Sequence, residues 1–312
     1  MKRILLLRPG ALGDLLLTVP AMLALRARMR EAHITLAGQA EGGRLLQECG
    51  IVEESISQDD SRWLCLFAAD GRVAAEAKSP QEIDVAVGWL KDPDGTVAAN
   101  LQRLGAKKIL IAPSAPDART HVSHHLVATL APLGVRPQLS VRYRLRPPEH
   151  ADKWALEYLS QCNVAHTPVI AVHAGSGGIR KNWSATRFAA TIDILVARGA
   201  RVVLLCGPAD ETATNAVLSA CGNPLPVARD LPLPRLAALL AQCNAYLGND
   251  SGVTHLAALV GVPTVALFGP TDPAVWGPRG DHVEILRWEG SQGEITPQKV
   301  AAVVLKSAVT VL

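Results

Sequence analysis

The chain has 312 residues, of which 49% are hydrophobic and 19% charged, and its formal net charge is +3. These values exclude a disordered or low-complexity chain and leave no basic footprint of the kind a nucleic-acid protein carries. At ~100–200 residues per domain the length predicts two domains. The six cysteines (Cys49, Cys65, Cys162, Cys206, Cys221, Cys243) form no C-x-x-C pair, which argues against zinc. Several sit in apolar runs where a reduced thiol packs as a small hydrophobe, a pattern suited to a reducing cytoplasm. Lys2-Arg3-Ile4-Leu-Leu-Leu7 imitates a signal peptide, but Arg8 and Asp14 interrupt it. The apolar run over 256–268 contains Pro263 and is too short for a bilayer, so no transmembrane segment is expected.

Short apolar runs alternate with helical patterns along the whole chain. Strands are expected over 3–7, 34–37, 64–68, 84–87 and 108–111, then over 169–173, 201–206, 245–248, 264–268 and 283–286. Near-continuous apolar strands separated by helices imply parallel sheets covered on both faces. Leu145-Arg-Pro-Pro-Glu149 interrupts the alternation and begins a helix with Pro in its first turn. The expected domains are therefore 1–147 and 148–312. A final helix is expected over 297–308, and packing back on the first domain is open to it.

The chemistry-bearing residues follow strand ends, where ligands bind in such sheets. Asp14 opens a helix after the turn Gly10-x-x-Gly13. It reads either as a cap of that helix or as an ionised carboxylate that accepts a proton from an attacking hydroxyl. The turn lacks the second close glycine of G-x-G-x-x-G, which argues against a nicotinamide oxidoreductase. Arg119, His121, His124 and His125 form a polar cluster suited to an acceptor-facing loop or a solvated surface. Gly175-Ser-Gly-Gly178, with Ser176, suits a loop whose N–H groups surround phosphate oxygens, and Arg180-Lys181 offers a cation beside it. Trp183 reads as packing for the following helix. Asp210 and Glu211 follow a strand, as ribose acceptors or as first-turn acids. The run Asn249-Asp-Ser-Gly252 ends a buried strand, and a helix starts with Val253-Thr-His255. The first N–H groups of a helix lack internal partners and carry partial positive charge. Gly252 admits an anion close to the backbone, and Ser251 and Thr254 add hydroxyl donors. This is a way to hold a diphosphate without a metal.

Four blocks in this order carry a resemblance. They are Ile4-Leu-Leu-Leu-Arg-Pro-Gly-Ala-Leu-Gly-Asp14, Val172-His-Ala-Gly-Ser-Gly-Gly-Ile-Arg-Lys-Asn-Trp183, Leu205-Cys-Gly-Pro-Ala-Asp-Glu211 and Tyr246-Leu-Gly-Asn-Asp-Ser-Gly-Val-Thr-His255. Together they resemble glycosyltransferase family 9, the ADP-heptose:lipopolysaccharide heptosyltransferases. The resemblance implies an α/β fold of the GT-B type, two Rossmann-like doubly wound parallel-sheet domains facing a central cleft. The first would be the acceptor side and the second would bind the nucleotide sugar.

It also implies an inverting, metal-independent transfer of heptose from ADP-heptose to an inner-core lipopolysaccharide acceptor, with no cofactor. That acceptor is a glycolipid at the membrane surface, so the implied location is cytoplasmic and peripheral to the inner face of the membrane. Asp14, next to Gly13, matches the family's base, and Lys181 rather than Arg180 matches its lysine. The ribose acid falls at Asp210 or Glu211. Leu231 lies in the segment that contacts adenine. Asp250, Ser251, Gly252, Val253, Thr254 and His255 match the block that holds the donor. Residues 57–116 match poorly, with Val85-Ala-Val-Gly-Trp-Leu-Lys-Asp-Pro-Asp94 in place of a more usual Asp-Leu-rich strand end. Trp288-Glu-Gly-Ser-Gln-Gly293 stands where some relatives carry a Cys-rich stretch. The alternatives are a transferase of this fold with another donor or a non-lipid acceptor, and a catalytically silent nucleotide-sugar-binding protein. Asp14 and Lys181 together argue against the silent reading.

Overall fold

The computed structural model describes residues 1–68, 82–116, 120–136, 144–161, 167–288 and 295–309. The chain divides into two compact units, Met1–Tyr143 and Arg144–Leu312. Arg144 and Leu145 already belong to the second unit, a few residues before the expected boundary. The Leu145 N–H donates to Leu259 O at 2.8 Å, and Arg144 Nε donates to Val260 O at 3.0 Å. These carbonyls end the helix Gly252–Val260, where Gly261 turns left-handed (φ +86°) and their own helical partners stop.

The first unit holds five parallel strands, β1 (Arg3–Arg8), β2 (His33–Gly38), β3 (Glu54–Ser57), β4 (Val85–Trp89) and β5 (Lys108–Ala112), in the order β3-β2-β1-β4-β5. β1 is central and apolar, with Ile4 opposite Ile34 on one side and Val85 on the other. Leu5, Leu7, Ala86, Val97 and Leu101 share one buried cluster between the sheet and the helix Thr96–Arg103. β3 escaped the sequence reading because it is a polar edge strand, Glu-Ser-Ile-Ser, with only Ile56 buried. The strand expected over 64–68 is instead the end of a helix, Ser61–Leu64, and a 3₁₀ turn, Cys65–Phe67. The Trp63 and Leu64 N–H groups both bond to Asp60 O, which starts a turn rather than a ladder. Asn100 Nδ2 then takes Leu66 O and Ala68 O, the carbonyls a neighbouring strand would have needed.

The second unit holds six parallel strands, β6 (Val169–His173), β7 (Arg201–Cys206), β8 (Val227–Arg229), β9 (Ala245–Asn249), β10 (Thr264–Phe268) and β11 (Val283–Arg287). Their order is β11-β10-β9-β6-β7-β8. The chain builds outward from β6 to β8, then returns to β9 and builds the other way. The switch point therefore lies between β6 and β9, the position where doubly wound sheets bind ligands. β6, β9 and β10 are buried at every residue, as strands covered by helices on both faces must be. β8, only three residues at an edge, was too short to read from the sequence. The last helix, Pro297–Val309, packs on the helix Ala185–Ala197 and on β9 and β10, with Val300, Ala301 and Val304 fully buried. It belongs to the second unit. Burial pushes the Cys221 thiol up to about 11, with help from Asp193, and the Cys243 thiol up to about 12. Both remain protonated packing groups. Cys162 lies outside the described residues. Among those residues no helix is long and apolar enough to cross a membrane.

Candidate active site

In the first unit, Pro9 and Gly10 turn the chain after β1, and Gly10 adopts φ +133°. The short helix Leu12–Leu16 follows, with Gly13 partly buried inside it and Asp14 at its third position. Asp14 Oδ2 accepts the Ala11 N–H at 3.2 Å, so the carboxylate does cap the helix. Ala11 has no side chain to return the bond. Asp14 is still 36% exposed, so capping leaves it open to solvent or to a substrate.

Behind Asp14 lies Arg8, only 3% exposed, with Nη2 3.5 Å from Asp14 Oδ1. Arg8 Nε donates to Thr18 Oγ1 at 2.9 Å and Nη1 donates to Pro9 O at 3.1 Å. Burial lowers the guanidinium pKa, and the charge of Asp14 opposes that shift. The sequence reading missed this partner. Its signal was a cation closing an otherwise apolar strand.

In the second unit, the turns after β6 and β9 meet at the switch point. Asn249 ties them together and was not anticipated. Its Oδ1 accepts the Trp183 N–H at 3.0 Å, and its Nδ2 donates to Ala174 O at 2.8 Å. Ser176 shapes the loop after β6. Its hydroxyl lies 2.6 Å from Asn182 Oδ1 and 2.8 Å from Gly178 O, and it accepts the Gly178 N–H. That loop runs into the 3₁₀ turn Ile179–Lys181. There Lys181 Nζ lies 2.8 Å from Asp250 Oδ2, off hydrogen-bond geometry, so the contact is an ion pair. The lysine is 40% exposed and the aspartate 7%. Arg180 points to solvent.

Ser251 caps the helix Gly252–Val260 by accepting the Thr254 N–H at 3.3 Å. The Thr254 hydroxyl, expected to face an anion, is fully buried instead. It donates to Asn249 O and lies 2.9 Å from the Tyr246 hydroxyl. With Thr254 capped and His255 N–H on Ser251 O, Gly252 and Val253 supply the N–H groups at the partly exposed helix start. His255 is 6% exposed, one turn further in.

Asp210 also turns inward. Its Oδ2 lies 2.9 Å from His173 Nε2 and accepts the Gly207 N–H at 3.1 Å, and Gly175 packs flat against the carboxylate. Burial would raise its pKa. The His173 bond and charge, with the Gly207 N–H, outweigh burial and hold it below the usual carboxylate value. Glu211, the first residue of the next helix, is exposed. Leu231 is half-buried in the turn after β8, beside Asp230 at φ +47°. That left-handed conformation is one aspartate tolerates.

Two histidines of the first-unit cluster hold backbone groups. His121 Nδ1 accepts the Ser123 N–H at the start of the helix Val122–Ala128, and His125 Nε2 lies 2.8 Å from Pro113 O. Arg119 and residues 289–293 lie outside the described residues. Among the described residues no three His, Cys, Asp or Glu side chains gather as metal ligands.

The family model for "Glycosyltransferase family 9 (heptosyltransferase)" matches residues 98–301. A lipopolysaccharide heptosyltransferase 3 of Escherichia coli is 32% identical over 173 residues, 54% of this chain and 50% of that protein. The chain thus spans about half the length of the curated relatives it matches. Two solved structures extend the likeness of fold to the whole chain. A glycosyl transferase family 9 protein of Veillonella parvula superposes with a TM-score of 0.82 at 23% identity, covering 99% of this chain and 98% of that one. An E. coli ADP-heptose lps heptosyltransferase II gives 0.81 at 22%, covering 99% of each. Both share this succession of two doubly wound parallel-sheet domains, the GT-B fold. With most of its length under the family model and all of it under the family's fold, the chain belongs to glycosyltransferase family 9.

Proposed function

We propose that the protein transfers a heptose from ADP-heptose to an inner-core lipopolysaccharide acceptor, by direct displacement with inversion and without a metal ion. The observation that carries this reading is the switch point of the second sheet. A half-exposed ammonium, Lys181, is held 2.8 Å from buried Asp250, beside the open helix start at Gly252 and Val253. The ammonium has three N–H bonds, so it can keep Asp250 while donating to phosphate oxygens. Lysine and helix start together supply the positive charge that a departing diphosphate requires. Glu211, exposed where Asp210 is engaged, is the better acceptor for ribose hydroxyls. Leu231 would border the base.

On the first unit, Asp14 takes the proton as the acceptor oxygen bonds to the anomeric carbon. The bond from that carbon to the diphosphate breaks, and ADP leaves with the pair of electrons. The buried Arg8 guanidinium lies 3.5 Å behind that carboxylate, its charge opposite to it. A glycolipid acceptor places this work at the cytoplasmic face of the membrane, with the protein bound peripherally.

A donor screen by mass spectrometry tests the reading. ADP-heptose, UDP-sugars and GDP-sugars are each incubated with a lipopolysaccharide-core acceptor, with and without EDTA. Release of ADP from ADP-heptose, undiminished by EDTA, is expected. Preference for a UDP- or GDP-sugar would overturn the donor assignment, and EDTA inactivation reversed by magnesium or manganese would overturn the metal-free mechanism.

A further inference from the structure

A chain of buried polar groups runs beneath the start of the helix Gly252–Val260. Asp210 Oδ2 meets His173 Nε2 at 2.9 Å, and His173 Nδ1 meets Ser251 Oγ at 3.4 Å. Ser251 Oγ lies 3.1 Å from Thr254 Oγ1, which in turn meets the Tyr246 hydroxyl at 2.9 Å. His173 is 2% exposed and Ser251 8%.

Counting protons shows what the chain does. The ionised Asp210 only accepts, so His173 Nε2 carries a hydrogen. In a neutral ring Nδ1 is then an acceptor, and the single Ser251 proton points inward to it. The Thr254 proton goes to Asn249 O, and Thr254 Oγ1 can accept from the Tyr246 hydroxyl. The Ser251 proton therefore goes to the ring nitrogen, the more basic of its two acceptors and the one with no other donor, rather than to Thr254 Oγ1. An anion arriving at the helix start meets the lone pairs of Ser251. When the ring is protonated at both nitrogens, Nδ1–H donates to Ser251 Oγ. The hydroxyl proton is then released to turn outward, and a positive charge sits under the helix start.

We infer that His173 is a positioning residue that sets the direction of the Ser251 hydroxyl, and that diphosphate binding at this helix start is coupled to uptake of a proton by His173. This rests on the nucleotide-diphosphate reading of the site. The ionisable groups on the elements around the ring are consistent with it. Asp210 stays ionised, because its histidine and Gly207 bonds hold its pKa down against burial. Tyr246 on β9 keeps its proton, because burial pushes its pKa up. Asp250 and Lys181 neutralise each other, Arg229 ends β8, Glu211 is exposed, and His255 lies one turn into the helix. The sign follows: affinity for the diphosphate is full when His173 is protonated and falls as pH rises, with a limit of about tenfold per pH unit for one linked proton.

The test is titration calorimetry of ADP into the full chain between pH 6 and 8, in two buffers of different ionisation enthalpy. Wild type is compared with His173→Gln and Ser251→Ala. Glutamine donates to Asp210 and accepts from Ser251 but takes up no proton, and the titration of ADP itself is common to all three. Wild type is expected to take up more protons than either variant and to lose affinity more steeply with pH. Ser251→Ala keeps the ring and its charge but removes the hydroxyl that the ring turns, so its proton uptake is expected below that of wild type by the hydroxyl's share, and it stands as the second comparison if His173→Gln does not fold. Equal proton uptake and equal pH slopes in wild type and a folded variant would overturn the coupling alone. Failure of wild type to bind ADP at any pH would overturn both the coupling and the nucleotide reading.

Discussion

Asp14 is a single carboxylate with an observed structural role and a proposed chemical one. It caps a five-residue helix through the Ala11 N–H, and it remains 36% exposed beside a buried guanidinium. Asparagine keeps an oxygen for the cap but cannot accept a proton as a base. Asp14→Asn should therefore retain the fold and ADP affinity and lose ~10²–10⁴-fold in turnover, the usual contribution of a general base. Turnover near wild type in a coupled ADP-release assay would remove Asp14 from the chemistry. Lys181 is proposed to act on the other partner. Lys181→Ala should raise KM for the donor and lower kcat together, at a cost of ~2–4 kcal/mol in kcat/KM, because its charge meets both the bound and the departing diphosphate. Unchanged kinetics would place it outside the site.

At the scale of elements, the candidate site of the second unit is two turns held in register. The turn after β6 carries Ser176 and Lys181, the turn after β9 carries Asp250 and Ser251, and Asn249, the last residue of β9, is bonded to both ends of the turn after β6. Asn249 is fully buried, so no water replaces its side chain. Asn249→Ala leaves the Trp183 N–H and the Ala174 carbonyl without partners, each costing ~1–3 kcal/mol. The variant should unfold at lower denaturant and bind ADP more weakly even though Asn249 is not placed against the nucleotide. A midpoint and affinity equal to wild type would show that the two turns hold their shape independently. The same scale explains the strands. β6, β7 and β10 were readable because each is an unbroken apolar run between polar ends. β3 and β8 lie at sheet edges, where one buried face suffices and the apolar signal thins to one or two residues.

For the whole molecule, the two units divide the proposed work. The groups assigned to the nucleotide lie in Arg144–Leu312, whereas Asp14 and Arg8 lie in Met1–Tyr143. ADP added to the intact chain should slow amide exchange at the turns after β6 and β9 and at the start of the helix Gly252–Val260. It should leave the turn at Gly10 unaffected. At a hundredfold excess over Kd the stabilisation should reach ~2.7 kcal/mol. Equal protection at Gly10 and Asp14 would contradict this division.

The sequence by itself determined the two doubly wound sheets and the positions of the candidate residues. Both are local signals: apolar runs of strand length, glycine turns at strand ends and helix starts just beyond them. It also determined the family, through four blocks whose order survives in one dimension. Only the tertiary structure decided which polar groups face outward and which are engaged within. Asp210 looked equivalent to Glu211 until His173, 37 residues earlier, was found against it. Thr254 looked like a donor to an anion until Tyr246 and the Asn249 carbonyl took its hydroxyl. His173 and Ser251 are 78 residues apart in the chain. The physical reason is that a buried polar group must find a partner wherever the fold brings one, and parallel strands bring together partners that lie far apart along the chain.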